Sequence, residues 1–66
     1  MMIKINLSRL LGERRMTQSE LSQKTGIRAA TVNELYHDMA ERVSLEHLDK
    51  ICEVLNCELH ELIERK

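Results

Sequence analysis

Residues 17–37 read TQSELSQKTGIRAATVNELYH, and this stretch decides the fold. Glu20 follows Thr17 at the spacing of a capping box. In that device the hydroxyl takes a backbone N–H and the carboxylate reaches back to the cap. A short helix is therefore predicted over about Gln18–Thr25. Gly26 stands where a helix ends and the backbone needs a left-handed residue. Val32, Leu35 and Tyr36 then give one apolar face to a second helix, about Ala29–His37. Leu21 packs inward from the first helix, and small Ser22 lets the two helices approach. Ile27 plugs the corner, and Val32 and Leu35 pack the second helix back. The stretch reads as two helices joined by a tight turn.

Working outward, Leu7, Leu10 and Leu11 fall at i, i+3 and i+4, which predicts a preceding helix over about Asn6–Arg15. Ile3-Lys4-Ile5-Asn6-Leu7 alternates with period two and reads as a short strand leading into it. A lone strand needs a partner, for example the same strand of a second subunit. On the other side, Asp38–Val43 is polar and loop-like. Ser44 is a good N-cap, and Glu46 suits the positive end of a helix dipole. Leu45, Leu48, Ile51, Cys52 and Leu55 form the apolar stripe of a fourth helix. A fifth is predicted over about Leu59–Glu64, anchored by Leu59, Leu62 and Ile63. The expected fold is all-α: a compact five-helix bundle spanning residues 1–66 as one domain, with a short N-terminal strand.

Composition narrows the function. Sixty-six residues allow one domain, which buries only roughly 60% of its unfolded surface. Hydrophobic residues at 42% and charged residues at 32% describe a globular chain. Tyr36 is the single aromatic residue, which excludes a platform for stacking single-stranded bases. No stretch approaches the ~20 apolar residues of a membrane span, and the start of the chain lacks the apolar core of a signal peptide. A cytoplasmic location, with Cys52 and Cys57 as reduced thiols, is expected. The spacing of these cysteines with His47 and His60 matches no tight metal-ligand pair. No metal, cofactor or enzymatic activity is expected, because no nucleophile–base constellation or phosphate loop is present.

The formal net charge is −1. That average hides a split. Residues 1–33 carry six basic and two acidic side chains, a net +4, while residues 34–66 carry four basic and nine acidic, a net −5. Such asymmetry is a hint of a nucleic-acid or protein partner.

The order of large, small, glycine and β-branched positions from Gln18 to His37 resembles the helix-turn-helix of the phage Cro and repressor family, often called the Xre type. The segment from Val43 through Ile63 resembles that family's last two helices, so the likeness covers nearly the whole chain. It implies a lambda-repressor-like DNA-binding domain and a transcriptional regulator, in most cases a repressor. It also implies a homodimer on a pseudo-palindromic duplex, with half-sites about one DNA turn, ~34 Å, apart. The helix after Gly26 would lie in the major groove, and the start of the helix before it would meet a phosphate. Carried over by position, Thr17, Gln18 and Ser19 would contact the backbone, with Arg42 helping from the following loop. Arg28, Ala29, Ala30, Thr31, Asn33 and Glu34 would face base edges. Arg28 could grip a guanine or a phosphate, and the alanines and the Thr31 methyl could touch thymine methyls or simply permit close approach. Asn33 could bond adenine, and Glu34 could accept from cytosine.

The chain departs from the family in three places. Leu11 and Tyr36 stand where many members carry a buried Arg–Glu pair. Asp38 and Glu41 occupy a loop that is usually basic, and Glu34 brings a negative charge to the reading face. These changes predict weak binding by a monomer. The competing expectation is a protein-interaction or antitoxin-like module that kept the fold and meets a basic partner through its acidic half.

Overall fold

The computed structural model describes residues 3–65; Met1, Met2 and Lys66 lie outside the described residues. In chain order the elements are β1 (Ile3–Ile5), α1 (Leu7–Glu13), α2 (Gln18–Thr25), α3 (Ala29–Tyr36), α4 (Leu45–Leu55), α5 (Leu59–Leu62) and β2 (Ile63–Arg65). Among the described residues there are five helices, as the periodicity predicts, together with a two-stranded sheet.

The α2–α3 corner is built as its sequence dictates. Thr17 Oγ1 accepts the Glu20 N–H at 3.1 Å, and the Thr17 N–H donates to Glu20 Oε1 at 3.1 Å, which completes the capping box. Gly26 ends α2 in the left-handed region at φ +77°, and its N–H donates to the Ser22 carbonyl. Two hydroxyls then tie the turn. Ser22 Oγ donates to the Ile27 carbonyl at 2.6 Å. Thr25 Oγ1 donates to the Leu21 carbonyl at 2.7 Å and accepts the Ile27 N–H at 3.2 Å. Ile27 is buried with both backbone groups satisfied. Ser22 is thus more than a small residue at a close approach: it is also a donor.

Three other helices end without glycine. Around Arg15, Asp38 and Asn56, all at positive φ, the same two bonds recur. Met16 N–H reaches the Leu11 carbonyl, Met39 N–H the Glu34 carbonyl and Cys57 N–H the Cys52 carbonyl, each with a shorter bond inside it. This is the Schellman pattern, which satisfies the otherwise orphaned carbonyls of a last turn. Asn and Asp tolerate this conformation because their side chains bond locally; for Arg15 it costs about 1 kcal/mol or more.

The core is almost purely aliphatic. Leu7, Leu10, Leu11, Leu21, Val32, Leu35, Ile51, Leu55 and Leu62 are sealed from solvent, joined by Ile5, Ile27 and Leu48. Leu11 packs fully and Tyr36 lies half-buried against this core, so apolar packing occupies the two positions of the family's ion pair. Such a replacement need not cost stability.

Four expectations need correction. The period-two segment does form a strand, but its partner is this chain's own β2, antiparallel with Ile3 opposite Arg65 and Ile5 opposite Ile63. The predicted fifth helix accordingly stops at Leu62 rather than Glu64, because Ile63–Arg65 is extended and pairs with β1. Leu45 and Leu59 do not belong to the core: they occupy the first positions of α4 and α5 and are 82% and 50% exposed. Ser44 has cap backbone geometry but makes no side-chain cap bond.

Gly26→Ala meets no atom within 4 Å of the added Cβ, so its cost is backbone strain alone, about 1–2 kcal/mol. Thr25→Val keeps the shape but orphans the buried Ile27 N–H, at about 1–3 kcal/mol. Urea denaturation of the two variants checks both values, and an unchanged midpoint for Thr25→Val would show that the hydroxyl contributes nothing.

Candidate nucleic-acid interface

α3 is amphipathic by construction. Val32 and Leu35 are buried, and Arg28, Ala29, Ala30, Asn33 and Glu34 are exposed. Thr31 is half-buried at the edge of the exposed face. All six residues singled out as base readers therefore cluster on one short helix and its cap. Arg28 takes the extended N-cap backbone (φ −62°, ψ 142°) and makes no cap bond. Its guanidinium has no hydrogen bond or ion pair among the described residues, and neither do the Asn33 and Glu34 side chains. The two alanines leave the start of α3 without bulk, which permits close approach of a ligand surface.

At the start of α2 the capping box uses the Thr17 and Glu20 N–H groups. Those of Gln18 and Ser19 have no intrahelical acceptor, as for any first turn. Ser19 is exposed and Gln18 half-buried. The positive dipole end and two free donors thus face outward together. Arg42 is exposed in the α3–α4 loop. Asp38, read from the sequence as a repulsive charge, is committed elsewhere: its carboxylate accepts the Ile5 N–H of β1 at 3.1 Å.

The cations of the N-terminal half divide into two sets. Arg14 Nε donates to the Leu55 carbonyl at the end of α4, and Arg9 donates to the Glu61 carbonyl at 3.3 Å. Both also pair with Glu13. Part of the +4 charge thus binds the acidic half of the same chain. Lys4, Arg15, Lys24 and Arg28 remain exposed without ion pairs among the described residues. Arg15 stands two positions before the Thr17 cap, where a left-handed residue follows α1.

An exposed, small-residue helix with unsatisfied polar ends, braced by a second helix across a sealed glycine corner, defines the class: a helix-turn-helix DNA-binding domain. Residues 6–66 match the family model of the Cro/C1-type helix-turn-helix DNA-binding domain, and the chain belongs to that family. It is 34% identical over 64 residues to the uncharacterized HTH-type transcriptional regulator YozG of Bacillus subtilis (strain 168), a match over 97% of this chain and 76% of that protein. A crystal structure assigned to a DNA-binding protein of Bacteroides fragilis superposes with a TM-score of 0.85 at 25% identity, covering 96% of this chain and 100% of that one. The transcriptional regulator VanUg superposes with a TM-score of 0.77 at 38% identity, covering 94% and 81%.

No group of three or more metal-ligating side chains occurs among the described residues, and no helix there is long and apolar enough to cross a membrane. Cys52 and Cys57 are free, half-buried, and placed on α4 and in the α4–α5 turn. Burial, the neighbouring Cys57 thiol, and the Asp49 and Glu58 carboxylates push the Cys52 thiol up to about 11. Folding thus favours its protonated form. Between pH 9 and pH 11 the folded state holds a proton that the unfolded state has lost, so stability falls as pH rises through this window. Cys52 is expected to resist iodoacetamide at pH 8 in the native protein and to react readily in urea; mass spectrometry of the labelled peptide reads the difference, and equal rates would refute the shift.

Proposed function

We propose that this chain is a sequence-specific double-stranded DNA-binding regulator of transcription, a repressor, that acts from the cytoplasm as a homodimer with α3 in the major groove. The observation that supports it most is the uncommitted set Arg28, Ala29, Ala30, Asn33 and Glu34, held on one exposed face by buried Val32 and Leu35. Arg28 offers a bidentate fork to guanine, Asn33 suits adenine, and Glu34 accepts from cytosine. Thr31 and the alanines fit thymine methyls. Gln18 and Ser19 give backbone N–H groups to a phosphate, with Thr17 shaping the turn and Arg15 and Arg42 supplying charge. Glu34 does more than lower affinity: it penalises every site without a donor at its position. Repression needs only occupancy of a site that another protein must use.

Selection from randomised duplexes, followed by gel shift, tests the reading. A pseudo-palindrome with half-site centres about 10 bp apart is expected. Arg28→Ala weakens binding by about 1–3 kcal/mol, roughly 5- to 150-fold, and relaxes one base position. With at most Arg15, Lys24, Arg28 and Arg42 of each protomer meeting phosphates, the log–log salt slope of a dimer is no steeper than about −7. No salt-sensitive binding at high micromolar protein would overturn the assignment.

A further inference from the structure

Among the described residues the exposed large apolar side chains are Ile3, Met39, Val43, Leu45 and Leu59. All but Met39 line two grooves. One, of about 290 Å³, is lined by Leu45, Leu48, Asp49, Cys52, Glu58 and Leu59, among others. The second, of about 380 Å³, is lined by Ile3, Ile5, Ala40, Glu41, Val43 and Ile63. We infer that the second groove, between the β1–β2 sheet and the α3–α4 loop, is the surface on which a second copy of this chain docks. This inference rests on the dimer reading above and gives it a location.

Three observations select the occupant and the groove. First, a two-fold contact places the same patch on both sides, so each charge must find its opposite within its own patch. The first groove carries only acids at its lining, Asp49 and Glu58, and a two-fold contact there would set acid against acid. The second groove carries Glu41 at its lining, and Arg65 sits opposite Ile3 on the same face of the sheet. Glu41 of one copy can therefore meet Arg65 of the other, twice. Second, dimerisation by strand addition along β1 is obstructed, because the Ile5 N–H on its outer edge is already donated to Asp38. Association must use side chains, and Ile3, Val43 and Met39 are 47%, 42% and 60% exposed next to this sheet and loop.

Third, the position fits. The groove opens beyond the C-terminal end of α3, at Ala40–Val43. Two copies joined there leave Arg28, Ala29 and Ala30, at the other end of α3, uncovered. So small a groove makes a concentration-dependent pair in free solution, which the duplex completes by holding both copies together.

Sedimentation across a concentration series, with and without the selected duplex, tests this. Val43→Glu, at a half-exposed position that leaves the fold intact by circular dichroism, should raise the dimer dissociation constant at least tenfold. Glu41→Arg should weaken the pair, and adding Arg65→Glu should restore it. Leu45→Glu, in the other groove, should leave it unchanged. Dimers that survive both Val43→Glu and Glu41→Arg, or that are lost with Leu45→Glu, overturn this surface while leaving the dimer reading standing. A wild-type chain that is monomeric at every concentration, on and off the duplex, overturns both.

Discussion

Two hydroxyl groups hold the corner on which everything else rests. A left-handed glycine lets the chain reverse, but reversal alone would leave the buried Ile27 with an unsatisfied N–H and carbonyl. Ser22 and Thr25 satisfy both groups, one as a donor and the other as an acceptor. An unpaired buried backbone group costs about 1–3 kcal/mol, a large share of the stability of so small a domain. With the corner satisfied, Ile27 can be a pure apolar plug, α3 is locked against α2 through Leu21 and Val32, and the opposite face of α3 is left with no structural task. The freedom of Arg28, Asn33 and Glu34 to meet a ligand follows from the completeness of the bonds behind them.

Electrostatics on this chain serve the fold before they serve a ligand. Arg9 and Arg14 reach across to carbonyls at Glu61 and Leu55, so two cations of the basic half hold the acidic half in place. Arg14 also suits the negative end of the α4 dipole. Asp38 does similar work in the opposite sense, ending α3 and closing an edge of the sheet. Among the described residues Lys4, Arg15, Lys24, Arg28, Arg42 and Arg65 are left exposed without ion pairs. Long-range attraction to a polyanion is therefore modest for so acidic a chain.

The helices and their corner were legible because their signals are local. A Thr–Glu spacing, a glycine and a few leucines at helical intervals are read within one turn of the chain. The pairing of Ile3–Ile5 with Ile63–Arg65 was not legible, because three-residue strands carry almost no periodicity and their partner lies 60 residues away. The same distance hid the role of Asp38, whose acceptor function depends on a strand 33 residues earlier. Leu45 and Leu59 misled for another reason. At the first position of a helix an apolar residue sits ahead of the stripe it seems to begin, so it counts towards periodicity while facing solvent. On the exposed face of α3, residue types could be placed by position, but the commitment of Arg9 and Arg14 to carbonyls could be seen only in three dimensions.

The pairing of β1 with β2 also orders events in time. Helices and the α2–α3 corner form through contacts between near neighbours, which are fast, whereas joining Ile5 to Ile63 closes a loop of almost the whole chain. The entropy of that closure grows only slowly with length, but it can be repaid only after the bundle has brought the two segments together. The sheet is thus a late clasp rather than a nucleus. Its three residue pairs are the natural place for the native protein to open first, a partial melting that would undo the groove beside it while leaving α3 folded.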